Sequence, residues 1–190
     1  EVHRCGVDDE GRLRLDEFRE ACEGAETGFS SIMWANNETG VIQPVGEACE
    51  IAKENGIAFH TDAIQAVGKT TVNVREIPVD FLSISGHKFH APKGIGALYL
   101  REGIRFEPLI RGGGQEFGHR SGTENVAYIA GLGKAAVLMK TALEKDQHAK
   151  IAANRDHLEK RLCEEIEGVT LNGSREHRVP TCAHVSFEEC

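Results

Sequence analysis

VDFLSISGHKFHAPKGIGALYL, Val79 to Leu100, is the stretch on which the reading of this chain turns. Val79 to Ile84 is an apolar run of strand length, and Ile95 to Leu100 is another. Between them stand Ser85, Gly86, His87 and Lys88, then Lys93 and Gly94, a polar passage whose glycines let the chain turn. In open α/β sheets, ligands sit just outside the carboxyl ends of strands, so Lys88 lies where a reactive lysine belongs. A free lysine, with a pKa near ~10.4, is a poor nucleophile at neutral pH. It becomes useful when desolvated, set beside another cation, or condensed with an aldehyde. Taken alone, the same residues read equally well as a solvated surface loop.

Working outward, strands and helices alternate. Phe29 to Ala35 reads as a strand, stopped by the polar loop Asn36 to Gly40. After Pro44, Val45 to Asn55 puts Ala48, Ile51 and Ala52 on one helical face, and Asn55-Gly56 reads as its end. Ile57 to His60 is the next strand. Runs this short and apolar, separated by helix, predict strands covered on both faces of an α/β sheet. Beyond Thr123, Asn125 to about Ile166 is helical, with a second helix expected from about Ile151. Val169 to Gly173 reads as a strand and turn, and His184 to Phe187 as a last strand. A domain junction is placed near Leu138, dividing 1–137 from 138–190.

Asp62 and Gln65 follow the Ile57 strand in His60-Thr61-Asp62-Ala63-Ile64-Gln65. An Asp there can bind a metal, accept from a ribose, or hold a protonated ring nitrogen. The last pairing is worth roughly 4 kcal/mol gross at about 4 Å in an effective dielectric near 20. Alone, Asp62 reads better as a helix cap. Asn37 sits in a loop with amide chemistry, which ordinary turn formation also explains. Arg111 to Gln115 and Arg120 to Thr123 form a glycine-rich stretch whose backbone amides and Thr123 hydroxyl suit phosphate, or a flexible connector.

Composition narrows the classes. A formal charge of −8 argues against nucleic acid, which needs a basic surface. The longest apolar stretches look strand-sized, so no membrane span is expected. Six scattered cysteines without a C-x-x-C pair predict reduced, mostly buried thiols in a cytoplasmic protein. Asp8 to Glu17 echoes a calcium loop, but that register puts Gly6 where an oxygen ligand is needed. His87, His90 and His119 lack any accompanying metal pattern, and no metal is expected. The chain opens with Glu1, without Met, and stops soon after a strand, which reads as a fragment.

Four blocks in order carry a resemblance: ANNETGVIQPV (Ala35 to Val45), HTDAIQAVGK (His60 to Lys69), DFLSISGHKFHAPKGIGALYLR (Asp80 to Arg101) and RGGGQEFGHRSGTEN (Arg111 to Asn125). Together they resemble the cysteine desulfurases, the pyridoxal 5′-phosphate (PLP) enzymes that supply sulfur for iron–sulfur clusters, and the FHAPKG wording is closest to the nitrogen-fixation type. The resemblance implies fold type I of the PLP-dependent transferases. The chain would then hold the second half of the large domain, with a mostly parallel sheet, and the start of the small C-terminal domain.

It also implies roles. Lys88 holds PLP as a Schiff base and later moves the substrate α-proton. Asp62 pairs with the pyridine nitrogen and Gln65 with the ring phenolate oxygen. Ser85 and His87 contact the phosphate, and Thr123 reaches the phosphate of a partner subunit in a homodimer. Asn37 lies between the ring and the substrate carboxylate. L-cysteine is the implied substrate, and a sulfur-acceptor or iron–sulfur scaffold protein the implied partner. In that family a phosphate turn and a stacking His would lie before Glu1. The nucleophilic Cys would lie beyond Phe187, in a loop that Cys190 follows the strand too soon to supply. Selenocysteine lyase shares nearly all these residues, and a truncated dimerisation module without PLP is the alternative from another class.

Overall fold

A computed structural model describes residues 1–25 and 28–188. Helix α1 (Leu15–Cys22) precedes strand β1 (Phe29–Met33), helix α2 (Val45–Glu54) and strands β2 (Ala58–Asp62), β3 (Phe81–Ser85) and β4 (Gly96–Leu100). Helices α3 (Val126–Glu144) and α4 (His148–Glu165) follow, then strands β5 (Val169–Leu171) and β6 (Val185–Phe187). The main sheet runs β1-β2-β3-β4, parallel except for the antiparallel β3–β4 pair, and β5–β6 forms a separate antiparallel pair. The expected α/β class with a mostly parallel sheet is what forms.

Local chemistry explains where α2 stops and β2 begins. Val45, Ala48, Cys49, Ile51 and Ala52 are buried, an apolar stripe at helical spacing. Gly56 takes φ +68°, and the Ile57 and Gly56 amides donate to Ala52 and Lys53 carbonyls at 2.8 and 3.1 Å. That is a complete Schellman ending. It consumes Ile57, which was read as strand, and moves the strand to Ala58–Asp62.

Alternation then divides the sheet. Ile32, Phe59, Thr61, Leu82 and Tyr99 face the core, where Phe59 and Thr61 are fully buried under α2 and α1. On the other face Phe29 is 62% exposed and Leu98 is exposed, so among the described residues the expected cover lies on one face of the sheet. The sequence cue was misleading because Phe29, Phe81 and Leu98 are apolar on that open face too. Phe29 and Phe81 meet edge-on at 5.6 Å, and Phe29 stacks on His60 at 6.1 Å. His60 Nδ1 meets Ser31 Oγ at 2.8 Å and its Nε2 meets Ser83 Oγ at 2.9 Å, so one hydrogen-bonded line crosses β1, β2 and β3.

The helical stretch divides at Lys145–Gln147, not near Ile151, because Asp146 adopts φ 49°, a left-handed conformation that Asp tolerates better than most residues. Helix α3 runs unbroken through Leu138. Its 19 residues are long and apolar enough, by length and composition, to cross a membrane, contrary to the reading above. Glycine and alanine disguise this, since they make no run of large apolar side chains. The helix packs on the turn after β3: a Cβ at Gly86 would stand 2.9 Å from Leu132 Cδ1, Ala91 Cβ and Ile95 Cγ2.

Helix α4 anchors the segment before β6. Arg178 pairs with Glu159 through two hydrogen bonds of 2.6 and 2.7 Å, with the side chains 8% and 5% exposed. Arg178 bridges to Val41, and Val179 joins the core. Of the described cysteines, all free, Cys22 and Cys49 are buried, Cys5 and Cys182 are half-buried and Cys163 is exposed, fewer buried thiols than expected.

Removing one partner of a buried, hydrogen-bonded charge pair leaves the other uncompensated. Arg178→Met is expected to cost about 3–5 kcal/mol in denaturant unfolding, and Arg178→Met with Glu159→Leu to recover most of it. A single-variant cost no larger than that of a surface substitution contradicts this. Burial pushes the His60 pKa below its ordinary value, with Asp62 pulling it back. The unfolded imidazole therefore protonates first, and the stability present above about pH 6.5 is lost as pH falls from that unfolded value through the lower folded one. Wild type should lose more thermal stability than His60→Gln between about pH 8 and about pH 5. Parallel pH profiles for the two proteins exclude this role.

Candidate active site

Three neighbouring strands deliver the candidate residues to one edge. Parallel pairing sets Met33 opposite Asp62 and Asp62 opposite Ser83, so the loops after β1, β2 and β3 open at adjacent carboxyl ends. The Trp34 amide donates to the Asp62 carbonyl at 2.7 Å, and the Ala63 amide to the Ser83 carbonyl at 3.0 Å, which carries the pairing past the strand ends. Asn37, Asp62 with Gln65, and Ser85 with His87 and Lys88 emerge from these three loops in that order.

Lys88 lies in a 3-10 turn, Gly86–Phe89, that follows β3 directly. Phe89 is buried and anchors the turn, while His87 and Lys88 are exposed. His90 closes it with φ 70°, and the Gly86 amide donates to the Ile95 carbonyl at 2.9 Å. Ser85 Oγ and His87 Nδ1 are 2.9 Å apart. The Lys88 amine makes no hydrogen bond or ion pair among the described residues.

Asp62 ends β2, and its Oδ1 accepts from the Ile64 amide at 2.8 Å. The other carboxylate oxygen has no partner among the described residues. The chain then curls through Ala63 to Thr70 by successive amide-to-carbonyl bonds. One turn on from Gln65, Lys69 Nζ donates to Gln65 Oε1. Gly68, at φ +80°, lets this curl touch the lysine turn: a Cβ there would lie 3.0 Å from Phe89 Cβ. Burial, then the charge of Lys88, pushes the Lys69 pKa down, and Cys182 pulls it back.

Asn36, not Asn37, organises the first loop. Its Oδ1 accepts from the Glu38 and Thr39 amides at 2.8 and 2.9 Å, which leaves Asn37 exposed. The segment from His177 to Cys182 holds this loop from outside. The Ile42 amide donates to the His177 carbonyl, the Val179 amide to Gly40, and Cys182 Sγ to the Glu38 carbonyl at 2.9 Å. Burial pushes the Cys182 thiol up, against Lys69, Arg178 and Arg155.

Thr123 is exposed in the loop before α3, two residues ahead of the Asn125 cap, and no contact joins it to the Lys88 turn among the hydrogen bonds of the described residues. Cys190 lies outside the described residues. A concavity of about 920 Å3 lies among the N-terminal segment, α1 and the start of β1, and none of the candidate residues lines it. Chemistry and not volume locates this site. Lys69 and Cys182 were passed over in the sequence, although the four-residue spacing of Gln65 and Lys69 is a signal for a helical-type pair. Nothing in the sequence joins Cys182 to Glu38.

The family model for aminotransferase class V matches residues 1–190. The cysteine desulfurase of Gluconacetobacter diazotrophicus is 52% identical over 187 residues, 98% of this chain and 46% of that protein. The cysteine desulfurase NifS of Azotobacter vinelandii is 44% identical over 189 residues, 98% of this chain and 46% of that one. Among solved structures, a NifS-like protein from Rickettsia africae superposes with a TM-score of 0.92 at 32% identity, covering 98% of this chain and 52% of its own. DndA from Streptomyces lividans gives 0.89 at 35%, covering 100% and 53%. The chain spans about half the length of the relatives it matches. By sequence and fold alike, it belongs to the aminotransferase class-V family, whose cofactor is PLP.

Proposed function

We propose that this chain is the lysine-bearing half of a cysteine desulfurase, which converts L-cysteine to L-alanine and leaves the sulfur as a persulfide on a protein cysteine, for iron–sulfur cluster assembly. The observation that carries this reading is the arrival of Lys88 and Asp62 at adjacent carboxyl ends of paired parallel strands. The desulfurase names of the relatives support the substrate.

The donor set fits PLP. Lys88 offers an unpaired amine for the aldehyde carbon. Asp62 keeps one carboxylate oxygen free for a protonated ring nitrogen. Gln65 would present an amide hydrogen to the ring oxygen, and Ser85 with His87 would present donors to the phosphate. When bound, PLP supplies an electron sink for the substrate α-carbon. Asp62 keeps that sink effective by holding the proton on the ring nitrogen. Lys88 would be the base that moves the substrate α-proton. Asn37, exposed on its loop, would lie between the ring and the substrate carboxylate.

The sulfur-accepting thiol belongs to a part of the protein beyond Phe187. Cys182 does not suit the role, because its proton is committed to the Glu38 carbonyl. The same reading divides the protein near residue 138 into a cofactor-bearing large domain and a small domain. It also makes the protein a homodimer, with Thr123 reaching the partner's cofactor phosphate. Leu109 and Phe117, 95% and 99% exposed on the preceding loop, favour that pairing. Unpaired cysteines favour a cytoplasmic protein, with a sulfur-acceptor protein as its partner.

In the whole protein, Asp62→Asn is expected to retain PLP, seen as absorbance at the visible edge, while alanine formation from L-cysteine falls roughly a hundredfold or more. Near-normal turnover in that variant removes Asp62 from the role and the reading with it.

A further inference from the structure

Gln65 can serve the ring oxygen only if its amide nitrogen, and not its carbonyl, faces the ring. The two ends of an amide are nearly isosteric, and a carbonyl turned toward a phenolate would repel it. Something must choose the orientation. Lys69 has that position: its Nζ meets Gln65 Oε1. An ammonium group has three donors and no acceptor, so it can meet only the oxygen end. The nitrogen end of Gln65 has no hydrogen-bond partner among the described residues, so it remains available to a ligand.

The placement of Lys69 is built into the turn. The Lys69 amide donates to the Ala66 carbonyl at 2.9 Å, and the Ala66 amide to Ala63 at 3.0 Å. This winds the chain so that positions 65 and 69 stack. Gly68, whose left-handed φ a side chain would strain, presses the curl onto Phe89, the residue after Lys88. Lys69 is half-buried, and the charge of Lys88 reaches it.

We propose that Lys69 is a positioning residue that locks the Gln65 amide with its nitrogen toward the cofactor's ring oxygen. The inference rests on the reading of this site as a PLP site. Lys69 touches neither substrate nor ring; it acts through Gln65. Its loss frees the amide to rotate, weakens the hydrogen bond to the ring oxygen and changes how that oxygen ionises, which the bound cofactor reports in its absorbance.

The test uses the whole protein and PLP itself. Lys69→Met keeps the aliphatic stem and removes the donors, while Lys69→Arg keeps a donor. Lys69→Met should weaken PLP affinity about three- to tenfold, the worth of one hydrogen bond, and shift the pH midpoint of the bound absorbance band. Lys69→Arg should restore both. In a Gln65→Ala background, Lys69→Met should change neither, because the two residues act as one unit. Thermal unfolding of each variant separates these effects from loss of fold. Wild-type affinity and spectrum in Lys69→Met, or an undiminished effect of that change in the Gln65→Ala background, overturns the assignment while leaving the PLP site intact. Failure of the wild-type protein to bind PLP overturns both.

Discussion

Parallel pairing of β2 with β3 is the constraint from which the rest follows. With Asp62 opposite Ser83, the carboxylate and the lysine turn leave the sheet at neighbouring positions. A slip of one residue would send Asp62 to the helix-covered face and bring Thr61 into its place. Several contacts hold the register beyond the ladder itself. Asp80 accepts from the Phe59 amide at 2.8 Å, its own amide donates to the Phe59 carbonyl, and Arg101 pairs with its carboxylate at 3.1 Å. Buried Phe59 and Leu82 on the core face penalise any alternative.

Around that register the chain builds rigid supports for groups that are themselves exposed. Gly86 and Phe89 fix the lysine turn from below, α3 covers its flank, and Gly68 brings the Gln65 curl against it. The His177–Cys182 segment clasps the Asn37 loop and is held by the Arg178–Glu159 pair on α4. The candidate groups are thus held at their bases while Asn37, His87 and Lys88 stay exposed. The line Ser31–His60–Ser83 ties the same three strands together one residue pair behind the site.

Local signals in the sequence were read well and distant ones were not. Asn55-Gly56 marked the end of α2, and Ser85 to Lys88 marked the turn after β3, because each depends on neighbours within a few residues. The open face of the sheet was misjudged because apolar strands look alike whether or not something covers them. The break at Asp146 was missed since it rests on one left-handed residue without glycine or proline. The clasp of Cys182 on Glu38 and the Arg178–Glu159 pair join residues far apart in the chain, and no pattern announces such contacts. Lys69 was in plain view, but its purpose depends on the curl that lays it over Gln65.

Which lysine bears the cofactor is the most direct question to put to this site. The protein should be incubated with PLP, reduced with borohydride, digested and analysed by mass spectrometry. A phosphopyridoxyl group on the peptide carrying Lys88 is the expected result. The group on Lys69 or Lys93 instead, or on no lysine, would contradict the placement of the reactive amine at the end of β3.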